Sequence, residues 1–265
     1  MQPTDRYGDH DENRSVHESH LSKMVAYYQR AAVRYNTEHF NLDDPDSGHN
    51  IGGREILAIM KATNSKSLLD VCCGTGRGVK AALDNGFEAK GVDISPDLLK
   101  IAHEEWGVPR ELLQEADATK LPFPDNSFDV SCIFGALHHT AMPRQIVSEM
   151  VRVSRRAIVI SDGANHFHGG IKKILVKLGL FEPIYRLIFR RPPRQSRRQV
   201  VSEGDGPTFV FSVDEVIPLL RENFEDLRCC SFYRVGKFGT WSYKLPRLFA
   251  ESAVVTVWNK RGLKH

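Results

Sequence analysis

No apolar run in the chain approaches the roughly 18 residues of a membrane-spanning helix, and the N-terminus lacks the charged-then-apolar pattern of a secretory leader. Together these absences lead to the expectation of a cytoplasmic protein. Cysteine is sparse: Cys72, Cys73, Cys132, Cys229 and Cys230 show no CxxC spacing and sit mostly in apolar runs. They read as reduced core residues, and no metal site is expected. Excess charge is also lacking, since the net value of +3 names no class of partner. No internal repeat is present. A length of 265 residues suits one α/β domain with decorations and leaves no room for two full catalytic domains.

What the chain does have is the stretch Leu68-Leu69-Asp70-Val71-Cys72-Cys73-Gly74-Thr75-Gly76-Arg77-Gly78. Its apolar first half ends in an acid and reads as a buried parallel strand, and its second half is a glycine turn opening into a helix. Gly74 and Gly76 allow a tight turn and a close approach of backbone to ligand. A dinucleotide fingerprint needs a third glycine where Val79 stands, so the loop suits a different nucleoside cofactor. A second strand over 89–93 ends in Asp93, and Ser95-Pro96-Asp97 then supplies the cap, the first-turn proline and the early acid of a helix. A carboxylate at that strand end can accept from both hydroxyls of a ribose. Residues 112–116 read as a third strand followed by Asp117-Ala118, and a turn-rich run over 121–129 enters a fourth over 130–134.

The fourth strand opens into Gly135-Ala136-Leu137-His138-His139, at the edge where an open α/β sheet places ligands. Either histidine is a candidate base, because imidazole titrates near the working pH. A helix from Pro143 leads to a fifth strand over 157–162, and the loop beyond it carries two rival bases, His166 and His168. A helix over 212–224 and strands over 227–235 and 253–259 complete the pattern.

In order, Asp70, the Gly74/Gly76 loop, Asp93, Asp117-Ala118, the Leu121-Pro122-Phe123-Pro124-Asp125-Asn126-Ser127-Phe128-Asp129 run and the histidine pair resemble class I S-adenosylmethionine-dependent methyltransferases. The 121–129 run is closest to small-molecule members related to the quinone-biosynthesis C-methyltransferases. The resemblance covers most of residues 66–162 and implies a doubly wound, seven-stranded, mostly parallel sheet whose last strand is antiparallel. It also implies an enzyme that uses S-adenosylmethionine for in-line methyl transfer. By the same resemblance, Asp70 helps hold the methionine ammonium beside the Cys73-Gly74-Thr75-Gly76 loop. Asp93 holds the ribose, Ile94 packs on the adenine face, and Asp117 with the Ala118 N–H reads the adenine edge. Phe134 and Tyr28 complete the cofactor wall. Two departures stand out: Cys72 occupies a position where many members have glycine, and Ser154-Arg155-Arg156 replaces a Pro-Gly-Gly turn. An Asp/Asn-Pro-Pro-Tyr signature is missing at Phe134-Gly135-Ala136-Leu137, which argues against amino-group methylation of adenine.

The flanks are less specific. Residues 1–20 are polar and are expected to form a disordered tail whose His10, His17 and His20 are too irregularly spaced for metal. Residues 21–265 are expected to form one domain, with a helical cover over 21–65 and a basic insertion over 170–208. Tyr27, Tyr28 and Tyr35 of the cover either line the ligand or anchor an amphipathic helix. Within 171–200, nine basic residues and one acid, Glu182, are interleaved with apolar positions. A lid is the leading reading of that segment; contact of 171–198 with an anionic membrane or a lipid-linked substrate is the next, and an RNA surface is third. The expected acceptor is a small or lipid-linked molecule, methylated on oxygen, with nucleic acid not favoured. An RNA methyltransferase and a non-catalytic cofactor-binding protein are the alternatives. Oligomeric state is not addressed by these features.

Overall fold

The computed structural model describes residues 10–39, 48–163, 199–202, 206–209, 211–232 and 252–262. Two helices lead, α1 (His10–His39) and α2 (Gly48–Ala62). Strand and helix then alternate: β1 (Ser67–Val71), α3 (Arg77–Asp84), β2 (Glu88–Asp93), α4 (Pro96–Glu104), β3 (Leu113–Glu115), β4 (Phe128–Phe134), α5 (Pro143–Val153) and β5 (Ser154–Gly163). A hairpin of β6 (Gln199–Ser202) and β7 (Gly206–Phe209) precedes α6 (Ile217–Asn223), β8 (Phe224–Phe232) and β9 (Ser252–Lys260). The sheet order is β3-β2-β1-β4-β5-β9-β8, with β9 antiparallel to both neighbours and the other pairings parallel. This is the doubly wound, seven-stranded arrangement, with its last strand antiparallel, that the family resemblance implied.

Alternation along the strands produces the two-sided core. Leu69 and Val71 of β1, Ile158 and Ile160 of β5, and Val255 and Val257 of β9 face α5 and α6. Their neighbours Leu68, Ala157, Val159 and Val254 face Ile56, Ile59 and Met60 of α2 and Val79 and Ala82 of α3. Because successive side chains point to opposite faces, a strand buried on both sides is apolar through its buried centre, as 68–69 of β1 and 157–160 of β5 are. The expected boundaries hold to within a few residues. Residues 233–235, at the expected end of the penultimate strand, lie outside the described residues, as does most of the basic insertion.

Two polar ties fix the amino ends of the central strands. Asp129 Oδ2 accepts from the backbone N–H groups of Lys66 and Ser67 at 2.8 and 3.2 Å, while the Asp129 N–H donates to Ser67 Oγ at 2.9 Å. Burial alone would raise this acid, but the two N–H donors and the Arg155 guanidinium outweigh it and hold it below its ordinary value. Arg152 anchors the 121–129 turn by donating to the carbonyls of Leu121 and Phe123 and to the carboxylates of Asp125 and Glu149.

The helix α1 begins at His10, inside the segment whose polar composition suggested a loose tail. Its inner face carries Met24, Tyr28 and Ala32 onto Leu98 and Ile101 of α4, and this apolar seam, invisible from residues 1–20 alone, holds the helix down. No helix among the described residues is long and apolar enough to cross a membrane.

Cys72 has φ 55°, in the left-handed region that favours glycine. That conformation accounts for the glycine usual at this position, and the thiol side chain occupies a partly buried place against the core. Replacing Cys72 by valine, whose branched Cβ tolerates this φ least, should lower stability by about 1–2 kcal/mol, whereas Cys72→Gly should change it by about 1 kcal/mol or less in either direction. Denaturant titration of the two variants checks the difference.

Candidate functional site

The parallel strands deliver their acids to one edge of the sheet. Asp70 is the fourth residue of β1, Asp93 ends β2, Asp117 follows β3 and Asp162 lies near the end of β5. All four stand where the carboxyl ends of the strands open into loops, the usual ligand side of such sheets.

The glycine loop is held by its own backbone and by Asp93. The Cys73 N–H donates to the Val92 carbonyl and the Gly76 N–H to the Cys73 carbonyl, both at 2.9 Å. Asp93 Oδ2 accepts from the Gly74 N–H at 2.8 Å and Oδ1 from the Ser95 N–H at 2.9 Å. Each oxygen retains a second lone pair, the capacity a pair of ribose hydroxyls requires. Desolvation raises Asp93 above its ordinary value, against the pull of these N–H donors. At Gly74 a Cβ would project into open space, whereas at Gly76 it would lie 2.7 Å from the Ala102 Cβ. Gly74 therefore faces the opening and Gly76 brings the loop against α4. Thr75 is buried, and Ile94 is half-buried just beyond Asp93.

Asp70 sits under the first turn of α3. A Cβ on Gly78 would fall 2.3 Å from its Oδ2, so only glycine leaves room for the carboxylate there. The Cys132 thiol lies 3.4 Å from Oδ1. Burial is the main cause, and the Asp93 charge a lesser one, of a rise in the Asp70 pKa to about 7. Phe134 ends β4 with its ring against α2, where a Cβ on Gly52 would come within 2.5 Å of it.

The histidines are arranged by partners distant in sequence. His138 Nδ1 lies 2.8 Å from Asp162 Oδ1, and Asp162 Oδ2 accepts the Leu137 N–H at 2.8 Å. A carboxylate only accepts, so His138 Nδ1 carries the proton and Nε2 the lone pair. The neighbouring ring of His139 lies 4.1 Å away between centroids. Its Nδ1 donates to the Pro207 carbonyl at 3.0 Å, which ties it to the β6–β7 hairpin. His138 is hydrogen-bonded to an anion, Asp162, that would stabilise an imidazolium, while His139 lies within reach of the Asp93 charge. His166 and His168 lie outside the described residues.

Sequence reasoning did not include His17, His20, Asp162 or the hairpin in the site. Asp162 had a legible signal, an acid at the carboxyl end of a strand, as at Asp93. His17 and His20 had none, because their placement depends on the docking of α1. His17 Nε2 lies 3.4 and 3.3 Å from the two oxygens of Asp117. Burial alone would raise Asp117, but His17 and the Thr119 N–H outweigh it and lower the acid. Ala118, next in sequence, is buried. His20 donates to the His139 carbonyl at 2.7 Å and packs on Phe209, ring centroids 4.5 Å apart. Tyr27 meets Gly206 of the hairpin, and Tyr28 sits in the seam between α1 and α4. The anchoring alternative thus describes the surroundings of Tyr28.

A separate groove of about 600 Å³ opens near the amino ends of the strands, lined by Glu55, Ile59, Arg156, Arg228 and Trp258 among others. Its arginines are engaged, Arg228 with Glu55 and Arg156 with the Thr63 carbonyl.

Comparisons with known proteins agree with this geometry. A family model described as "Methyltransferase domain" matches residues 69–158. The chain is similar to a demethylmenaquinone methyltransferase of Paenarthrobacter aurescens, 33% identical over 102 residues, which are 38% of this chain and 40% of that one. It is also similar to a demethylmenaquinone methyltransferase of Listeria welshimeri, 35% identical over 106 residues, 38% and 45% of the two chains. The chain thus spans less than half the length of these curated relatives. Among solved structures, the fold is similar to magnesium protoporphyrin IX methyltransferase from Synechocystis with bound SAH, with TM-score 0.54, 15% identity and coverage of 91% and 99%. A protein from Pyrococcus horikoshii is comparable, with TM-score 0.53, 22% identity and coverage of 89% and 99%.

Docking of α1 should depend on pH through His20. Burial is the main cause lowering this imidazole from 6.5 to about 4, so the docked helix holds it neutral while the released helix binds a proton more readily. Its contribution is complete above pH 6.5 and is lost as pH falls toward 4. Hydrogen-exchange protection in α1 should therefore fall between pH 7 and pH 5 (~tenfold or more), and His20→Gln should flatten that dependence.

Proposed function

We propose that this chain, whose residues 69–158 match a methyltransferase-domain model, is a class I S-adenosylmethionine-dependent methyltransferase that methylates a small or lipid-linked acceptor at a group that gives up a proton, an oxygen in the first instance. The observation that carries the reading is the convergence, at one sheet edge, of the glycine loop, Asp93 and Asp117 with the His138–Asp162 pair. The names of the demethylmenaquinone methyltransferase relatives support a quinone-like acceptor.

S-adenosylmethionine, when bound, supplies a methyl group already activated by its sulfonium. The chain's own residues then have positioning and proton transfer left to do. Asp93 accepts from the ribose hydroxyls with the lone pairs left after its bonds to Gly74 and Ser95, and Asp117 and the Ala118 N–H take the adenine edge. Cys73 and Thr75 frame the loop, whose opening at Gly74 admits the cofactor, while Ile94 and Phe134 supply apolar contact. Asp70 serves the ammonium end. His138 takes the acceptor proton at Nε2, and Asp162 stays ionised, holding the tautomer and stabilising the imidazolium that results. His139, bonded to a neutral carbonyl, keeps its neighbour's ring and the hairpin in place.

The test is transfer of radiolabelled methyl from S-adenosylmethionine into lysate separated into lipid, small-molecule, RNA and protein fractions. Label is expected in the lipid or small-molecule fraction. Label confined to RNA would overturn the acceptor class, and cofactor binding without label in any fraction would favour a non-catalytic protein. On the acceptor so found, His138→Ala should lower kcat by about 10²–10⁴-fold with unchanged affinity for S-adenosylhomocysteine, and Asp162→Asn should follow it.

The buried Asp70 adds a pH signature. Its carboxyl, at about 7 in the free chain, must ionise to hold an ammonium group, so binding releases a proton. Affinity for S-adenosylhomocysteine should rise as pH increases through 7, and the rise should vanish in Asp70→Asn. Calorimetric titration in buffers from pH 6 to 8 reads both.

A further inference from the structure

Asp70 is buried between two elements, and each meets one of its oxygens. Oδ2 lies under the first turn of α3, where only glycine at position 78 leaves room for it. Oδ1 meets β4, where Cys132 stands directly beside Asp70 in the parallel register and brings its Sγ to 3.4 Å. Both residues are buried, so bulk water does not compete for this contact. The direction of the bond follows from the two groups. A carboxylate only accepts, and the thiol, pushed up by burial and by the Asp70 charge, keeps its proton. The contact therefore favours the ionised form of Asp70. Burial is the main influence raising this acid, and the Asp93 charge adds to the rise; the Cys132 thiol opposes it more than the Val79 N–H of α3 does. Cys72 and Cys73, which also feel the Asp70 charge, are held protonated by burial and bring no charge of their own.

We propose that Cys132 is a positioning residue for cofactor binding: its thiol donates to the Asp70 carboxylate and keeps it an anion, in place for the ammonium group of S-adenosylmethionine. The inference rests on the cofactor reading above and extends it to a residue with no exposed surface of its own to offer a ligand. Cysteine suits the two demands of the position. It packs as a small apolar side chain in the cluster that holds Val130 and Val159, and it still supplies one donor. A buried carboxylate without that donor gives up its charge more readily. The thiol thus acts on the ligand only through Asp70, and its effect is confined to the pH range in which Asp70 titrates. Removing one such bond should raise the midpoint of that titration by about 0.5–1 pH unit.

The experiment follows the Asp70 carboxyl carbon of the full chain by carbon-13 NMR across a pH titration, the resonance being identified by its loss in Asp70→Asn. Calorimetric titration with S-adenosylhomocysteine covers the same pH range. Cys132→Ala should move the carboxyl midpoint upward by about 0.5–1 unit and weaken S-adenosylhomocysteine about three- to tenfold at pH 6, the gap closing as pH rises past both midpoints. Cys132→Ser, which retains a donor, should leave the midpoint within about 0.3 unit of the parent or below it, and it carries the test if the alanine variant does not fold. An unchanged midpoint in Cys132→Ala, or a serine variant whose midpoint rises by as much as the alanine variant's, would overturn the assignment. So would an affinity loss in Cys132→Ala that is equal at every pH, the mark of a packing defect. A parent chain that binds no S-adenosylhomocysteine at any pH would overturn the cofactor reading, while the carboxyl titration would still decide for or against the hold of the thiol on Asp70.

Discussion

The carboxylate of Asp93 is the joint on which the rest of the molecule turns. One oxygen holds the Gly74 N–H and the other the Ser95 N–H, so a single side chain fixes the glycine loop after β1 and the start of α4 after β2. The loop's position sets the opening at Gly74, and α4's position sets the apolar surface, Leu98 and Ile101, onto which α1 docks. Burying an acid is unfavourable unless its oxygens are bonded. Here the bonds that make burial tolerable are the ones that shape the site.

A second constraint is the shared direction of the parallel strands. Their carboxyl ends lie along one edge, so an acid near the end of each strand arrives in the same region without any local sequence relation among them. Four carboxylates cannot crowd together without consequences. Asp70 is driven toward neutrality by burial, while Asp117 and Asp162 take histidine partners from α1 and from the turn after β4. The differing environments divide the labour: burial carries Asp70 up to about 7 against the Cys132 thiol, whereas His17 and Thr119 lower Asp117 in spite of its burial.

The covering helix depends on both. Its apolar seam with α4 supplies the driving force, and the polar contacts of His17 and His20 determine what the helix covers. Apolar burial is non-directional, whereas a hydrogen bond fixes register. Together they place the amino-terminal part of the chain over the loops after β3 and β4, while the β6–β7 hairpin closes against the same helix through Tyr27 and Phe209.

Much of this was legible in the linear chain. The two-sided strands, the glycine loop and the strand-end acids Asp70, Asp93 and Asp117 follow from local patterns, because alternation, turn chemistry and the acid-before-glycine spacing are properties of neighbouring residues. Local pattern also marked His138 and His139, but it could not choose between them, since the choice rests on Asp162, 24 positions away from His138. The polar composition of residues 1–20 read as a tail because a segment's own residues report only what it can bury by itself. Whether a histidine with a weakly apolar neighbourhood is buried depends on the surface that receives it. By itself, then, the sequence determined the sheet, the loop and the acids along its edge. Only the tertiary structure decided which acid each histidine meets and brought His17 to Asp117 across 100 positions, because those pairings are made by packing between elements and leave no trace in the spacing within any one of them.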